Sequence, residues 1–345
     1  MATTSKNITS DDIATTKTPL HEAVPLTGTI VSGTYADGNI KNYSHGMFQS
    51  VYDYPYLSSS ANHIFDITVG YSSKSTLSGT SNVTQQDKKI NLYNQFAQVL
   101  VGYDITGSIL EFDDEGKTTP DSGTKMREAL FLNFSRLLTK DEIKKGNFTL
   151  TFLTGGLPGH LSDEKTISDY NAVTTYKTNS PVGEYGFLYS GSQATPGTAV
   201  GLLYYQAGIA VLTASIFDGQ FGAPASSSVD TGSIDTVMTG SNISSSCDGV
   251  RNRWKNLTFN NTTELNSAIY FCRVNHNEFN YSSNPTYLSS SQIRVKEQKS
   301  DPPISYITTV GLYSADDVLM AVAKLSEPLK KTSDNEFVLR VRLDY

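Results

Sequence analysis

Tryptophan occurs once, at Trp254, and cysteine twice, at Cys247 and Cys272. Two cysteines without a CxxC pair or a Cys/His cluster exclude a zinc site of ordinary spacing and a disulfide-dense scaffold. They leave open two unrelated thiols or a single disulfide formed in an oxidising compartment. The five histidines, His21, His45, His63, His160 and His276, never fall three or four residues apart, which excludes an HExxH-type centre. Charged residues are scarce, at 18%, and the net charge is −7. A mildly acidic chain has no broad attraction to phosphate backbones, so a nucleic-acid partner is not expected. The two short basic clusters, Lys140–Lys145 and Lys330–Lys331, have acids beside them and read as solvated faces. No apolar run reaches the roughly eighteen residues of a membrane-spanning helix. The longest, Val200 to Leu212, is broken by Gln206 and Gly208, and the segment Met1 to Thr18 has no signal-peptide core.

Catalytic signatures are missing as well. There is no GxSxG elbow and no P-loop, and Gly155–Gly156 lacks the lysine and following helix that phosphate binding requires. Paired carboxylates, Asp113–Asp114 and Asp316–Asp317, sit in loop-like stretches with nothing to fix their separation. The acidic run Glu111, Asp113, Asp114, Glu115 does not have the ligand order of an EF-hand and reads as a solvated hairpin tip. His276 and Glu278, in Asn275-His276-Asn277-Glu278, read as a polar turn between strands rather than an acid–base pair. No catalytic, cofactor-binding or metal-ligating residue is assigned, and no cofactor is expected. Sequons such as Asn42, Asn82, Asn147 and Asn256 follow from the Asn/Ser/Thr content alone.

What fills the chain is Ser, Thr, Asn and twenty tyrosines. β-branched and aromatic side chains suit a pleated, half-buried surface. The expected fold is therefore mainly β, antiparallel and sandwich-like, with a few short helices, one or two packed domains and long loops. Residues 1–26 read as a flexible arm, 27–260 as the main domain and 261–345 as a C-terminal β domain. Strand patterns are Thr29–Val31, Asn62–Tyr71, Ala129–Leu138, Phe148–Phe152, Ala268–Val274, Gln292–Lys296 and Glu336–Tyr345. Hairpins are expected over Ala199–Phe217, turning near Gln206–Gly208, and over Ile304–Tyr313 with Val318–Lys324, turning at Ser314–Asp317. The clearest helix is Lys88–Tyr103, with Leu92, Phe96, Val99, Leu100 and Tyr103 on one stripe, Thr84 and Asp87 at its start and Gly102 near its end. A second short helix is expected from Thr139, with Glu142 as capping-box partner and Gly146 as its stop. Residues 155–184 and 219–246, rich in Gly, Ser, Thr and Pro, read as long loops. The terminal strand places Phe337, Leu339, Val341, Leu343 and Tyr345 on one face. With residues 1–26 it is the expected interface.

Five stretches carry a resemblance. FQSVYDYPYLSSSANHIFDITVGY (Phe48–Tyr71), LYNQFAQVLVGYD (Leu92–Asp104), ALFLNFSRLLTKDEIKK (Ala129–Lys145), VGLLYYQAGIAVLTASIF (Val200–Phe217) and FCRVNHNEFNYSSNPTY (Phe271–Tyr287) resemble virion structural proteins of T-even-like and other large contractile-tailed phages. The segment Ile304–Tyr345 is similar to the baseplate-facing, N-terminal module of phage tail-fibre proteins. Gly311, Leu312, Tyr313, Asp316, Asp317, Ala321, Val322, Ala323, Pro328 and Lys330 match its pattern. In the fibres that module leads into a shaft, whereas here it stands at the C-terminal end, which fits a baseplate, neck or tail-accessory subunit better than a fibre. The resemblance implies a non-enzymatic protein of the virion, assembled in the host cytoplasm, with other virion proteins and copies of itself as partners. The alternative is a surface receptor- or glycan-binding, or capsid-decorating, protein whose tyrosine-rich loops stack on sugars.

Overall fold

The computed structural model describes residues 5–25, 37–79, 83–118, 122–155, 162–191, 197–217, 234–282 and 284–345. The strand pattern at Thr29–Val31 lies outside these residues. In chain order the first half carries β1 (Ile13–Pro25), β2 (Ile40–Asn42), β3 (Gln49–Tyr52), β4 (His63–Tyr71), α1 (Gln86–Leu100), β5 (Glu128–Phe134), α2 (Arg136–Thr139), β6 (Glu142–Ile143), β7 (Thr149–Gly155), β8 (Ser162–Ser168) and α3 (Ala172–Thr175). The second half carries β9 (Lys177–Ser180), β10 (Gly183–Ser190), β11 (Ala199–Tyr204), β12 (Ile209–Thr213), α4 (Ile234–Gly240), α5 (Ile243–Asn252), β13 (Trp254–Val274), β14 (Leu288–Ser289), β15 (Gln292–Ile293), β16 (Ser305–Tyr313), β17 (Leu319–Lys331) and β18 (Phe337–Asp344). The fold is mainly antiparallel β, as composition implies. The chain divides into two compact units: Leu20–Thr263, and the segment up to Pro19 together with Glu264–Tyr345.

In the larger unit one antiparallel path runs β2-β3-β4-β5-β12-β11-β10-β8-β7 and ends on the first part of β13. Strand β5 explains how this path is filled. Leu130, Leu132 and Phe134 point to one side, among Phe65, Ile67 and Val69 of β4. Ala129 and Phe131 point to the other, where Tyr93, Ala97 and Leu100 of α1 cover them. A strand buried on both faces reads as a continuous apolar run rather than as an alternation.

The path also folds back on itself. Trp254 of β13 stacks on Phe65 of β4, and Phe259 of β13 and Phe148 each pack against Phe134 of β5. Strands far apart in the hydrogen-bonded order thus share one core, which is the sandwich arrangement. The β11–β12 hairpin forms where expected; Gly208 takes the left-handed conformation at its turn (φ +68°).

Helix α1 begins at Gln86, and its buried face differs from the stripe read in the sequence. Lys89, Leu92, Tyr93, Ala97 and Leu100 are buried, while Val99 and Tyr103 are exposed. The helix is seated by Gly70 of β4: a Cβ there would lie 2.6 Å from the Lys89 carbonyl oxygen. That close approach rotates the helix and puts Lys89 inside. The expected Thr84/Asp87 cap is also absent; the residue before the helix is Gln85, in the left-handed region, and the Thr84 hydroxyl donates to Gly240 O.

Several expectations are corrected. The strand expected over Ala129–Leu138 ends at Phe134, and Arg136–Thr139 is helical. Thr139 therefore ends a helix instead of starting one. Glu142 lies in β6, where it pairs with Thr262 of β13, so no capping box forms. The 155–184 loop holds β8, α3, β9 and the start of β10. Only Ile167 of β8 is a buried apolar side chain, so the period-two signal is missing; backbone pairing with β7 and β10 makes the strand. The described part of 219–246 is helical. Ile234, Val237 and Met238 of α4 and Ile243, Cys247 and Val250 of α5 are buried at helical spacing, and Asn242 caps α5 by accepting from Ser245 N at 2.7 Å. The strand expected over Gln292–Lys296 is the two-residue β15.

In the smaller unit the second part of β13 pairs with β18, from Ser267↔Asp344 to Val274↔Phe337. The N-terminal segment is not an unstructured arm: a short 3-10 turn (Ser10–Asp12) leads into β1, which neighbours β13 in the sheet. Asp12 accepts from Arg273 at 2.5 Å, and Lys6 pairs with Glu278 at 2.7 Å. β16 and β17 form a separate two-stranded ribbon.

Candidate functional site

The ribbon is the feature of the smaller unit that packing within the chain does not account for. A strand of a packed sheet alternates buried and exposed residues. Of the thirteen residues of β17 only Lys331 is buried, and of the nine in β16 only Ser305 and Leu312 are. Tyr306, Tyr313, Val318, Leu319, Met320 and Val322 are exposed, Met320 at 69%. Among the described residues neither outer edge of the ribbon pairs with another strand. A two-stranded ribbon is at best marginally stable alone, and open edges invite a further strand.

Its base is nevertheless anchored. Lys331 Nζ donates to His276 O (3.0 Å), Asn280 Oδ1 (2.7 Å) and Thr332 O (2.7 Å). The Ser305 hydroxyl, opposite Lys331 in the register, donates to Phe279 O, and the Tyr287 hydroxyl donates to Ile304 O. At the tip, Ser314 N donates to Val318 O at 2.9 Å and Asp317 adopts a left-handed φ of +58°. The ribbon is thus held at one end, and beyond that base Leu312 is its one buried residue.

The terminal strand, half of the expected interface, alternates as read, but only Val341 of its inner face is fully buried and Tyr345 is 73% exposed. It is zipped to β13 by Tyr345 N to Asn266 O at 2.8 Å and by Ser267 Oγ to Asp344 at 2.5 Å. Ser267 and Arg342 hold the Asp344 carboxyl below its ordinary range.

His276 and Glu278 do not form an acid–base pair. Lys6 binds the Glu278 carboxylate and holds it below the usual range, and His276 contributes its carbonyl to Lys331. The acidic loop is not a solvated tip throughout. Asp113 is buried: its Oδ1 accepts from Glu115 N and Lys117 N, both at 2.9 Å, and its Oδ2 from Lys125 Nζ at 3.0 Å. Both cysteines are free thiols, and burial raises the pKa of each. Among the described residues no three His, Cys, Asp or Glu side chains group as metal ligands, and no helix is long and apolar enough to cross a membrane.

The sequence pattern located the ribbon and its turn but not its bareness, because alternation along a strand has the same spacing whether or not a core lies beneath it. No protein-family model, no curated protein and no solved structure matches the chain.

Proposed function

We propose that this chain is a non-enzymatic structural component of a tailed-phage virion, a tail, baseplate or neck subunit that acts through protein–protein assembly. The observation that carries the reading is the bare ribbon β16–β17, anchored at Ser305 and Lys331 and exposing Tyr313, Leu319, Met320 and Val322. Its occupant in this reading is a neighbouring virion subunit, which covers the apolar side chains and extends the open edges. The ribbon is also the segment similar to the baseplate-facing module of tail fibres, which supports the same assignment. The twenty tyrosines supply rigid contact area at low entropic cost.

The test is electron microscopy of intact particles with gold-labelled antibody against this chain. Label confined to the distal end of the tail supports a baseplate position. Label at the head–tail junction moves the subunit to the neck. Particles without label overturn the virion reading.

A further inference from the structure

On the larger unit a groove of about 520 Å³ opens between the acidic loop and the β9–β10 region. That volume lies within the roughly 300–1,000 Å³ range of small-ligand sites. Its lining includes Tyr176, Phe187, Tyr189, Thr175, Asp114 and Glu115.

The floor is aromatic. Tyr189 packs against Tyr170 at 5.2 Å between ring centroids and against Phe187 at 6.5 Å. Tyr176 is 40% exposed, and Lys145 Nζ stands 5.2 Å from its ring centroid. Lys145 is not among the groove's lining residues, and Glu184 pairs with it at 2.5 Å. The cation therefore steadies the tyrosine without occupying the groove.

The wall is mainly a set of acceptors, with Lys177 the cation beside them. Asp113 fastens the loop from below, through its bonds to the backbone and to Lys125. Gly116, at φ +69°, lets the loop lie against the aromatic ladder; a Cβ there would come within 2.8 Å of Tyr185 Oη and 3.0 Å of Phe187. Asp114 is thereby held at the groove with Oδ1 buried and without a hydrogen-bond partner among the described residues. That oxygen has no accessible surface, so a ligand in the groove meets the half-exposed remainder of the Asp114 carboxyl. The Thr175 hydroxyl donates its proton to Asn171 O at 2.8 Å, so towards the groove it offers lone pairs.

We infer that this groove is a carbohydrate-binding site, in which a sugar ring stacks on the tyrosine floor and its hydroxyls donate to Asp114 and Thr175. A pyranose presents both groups at once: a C–H face that is attracted to the negative face of an aromatic ring, and a rim of O–H donors. Two carboxylates, Asp114 and Glu115, outnumber the one cation in the lining, Lys177, which favours a neutral ligand over an anionic one. The inference does not depend on the virion assignment. Absence of the chain from particles leaves the groove standing, and failure of sugar binding leaves the particle assignment standing.

The experiment is a glycan array of bacterial surface polysaccharides and neutral oligosaccharides probed with the full chain, followed by titration calorimetry with the best-retained oligosaccharide. The expected result is retention of at least one neutral glycan, with affinity falling about tenfold or more in Tyr176→Ala and in Asp114→Asn. Leu137→Ser, at an exposed position outside the groove, is expected to bind like the unaltered chain. Melting curves verify that each variant is folded. Retention of no glycan, or binding that survives both groove substitutions unchanged, overturns the inference.

Discussion

Phe65 and Trp254 lie with ring centroids 4.7 Å apart and planes 11° from parallel, joining strands from opposite ends of the long antiparallel path. Neither side chain has any exposed surface. This stack, with the edge-on contact of Phe152 to Trp254, is what turns a long sheet into two facing layers.

Trp254→Ala is expected to cost about 3–5 kcal/mol, since the cavity cannot be refilled by residues fixed in strands on both sides. Trp254→Phe is expected to cost clearly less. The indole Nε1 is buried without a hydrogen-bond partner, so the smaller ring removes an orphaned donor along with the lost volume. Urea unfolding of the two variants checks the order. Equal costs would mean that the indole nitrogen has a partner in solution.

The layered β architecture and most strand positions could be read from the sequence because alternation and apolar runs are local signals. What was lost has identifiable causes. The rotation of α1 is set by Gly70, a contact from another element, so the helix's own periodicity placed Val99 inside and left Lys89 out. The helices α4 and α5 were hidden by Ser and Gly, which lower propensity without disturbing the spacing of Ile234, Val237, Met238, Ile243, Cys247 and Val250. The groove was invisible because it unites the acidic loop with a segment some sixty residues later, and each half is unremarkable alone.

Lys89 gives a pH-dependent prediction. Its ammonium is enclosed and donates to Met238 O and to the carbonyls of Thr84 (2.8 Å) and Ser241 (2.7 Å), pinning the end of α4 to α1. Burial lowers its pKa from 10.5 to about 8. A folded-state pKa below the unfolded value means that the unfolded chain binds more protons between the two. Stability is therefore expected to rise with pH from about 8 to 10.5, relative to Lys89→Met. At neutral pH the methionine variant is expected to be less stable by about 1–3 kcal/mol, because three buried carbonyls lose their donor. Denaturant unfolding of both proteins at pH 7 and pH 10 reads the difference; a gap that does not change with pH would refute the assignment.

Asp169 carries the opposite kind of shift. Its Oδ2 accepts from Gly146 N (2.8 Å) and the Tyr205 hydroxyl (3.1 Å), and its Oδ1 from Phe148 N (2.9 Å). Burial outweighs these bonds and raises its pKa above 3.8. A raised carboxyl pKa favours the protonated folded form, so its contribution to stability is largest below the unfolded pKa and declines as pH rises through the folded one. Asp169→Asn is nevertheless expected to destabilise at neutral pH by about 1–3 kcal/mol, since both carboxylate oxygens accept from N–H groups and an amide nitrogen cannot. The deficit is expected to be larger at pH 4 than at pH 7. Thermal unfolding at the two pH values checks both magnitude and sign.

The anchoring of the ribbon gives the last prediction. Lys331 is enclosed and spends its donors on His276 O, Asn280 Oδ1 and Thr332 O, at the point where β17 leaves the rest of its unit. Lys331→Met keeps the aliphatic stem and removes the donors, leaving three oxygens to be hydrated only if the base of the ribbon opens. Since each 1.4 kcal/mol of local stability is about a factor of ten in opening, and a lost buried bond costs about 1–3 kcal/mol, amide exchange at Ser305–Ile307 and Leu329–Lys331 is expected to quicken by about tenfold or more. Exchange in β4 and β5 is expected to stay unchanged. Uniform acceleration across the chain would show a general loss of stability instead. An unchanged ribbon would show that the cross-strand bonds of β16 and β17 suffice without the anchor, and the bare hairpin would then owe its form to its own backbone pairing alone.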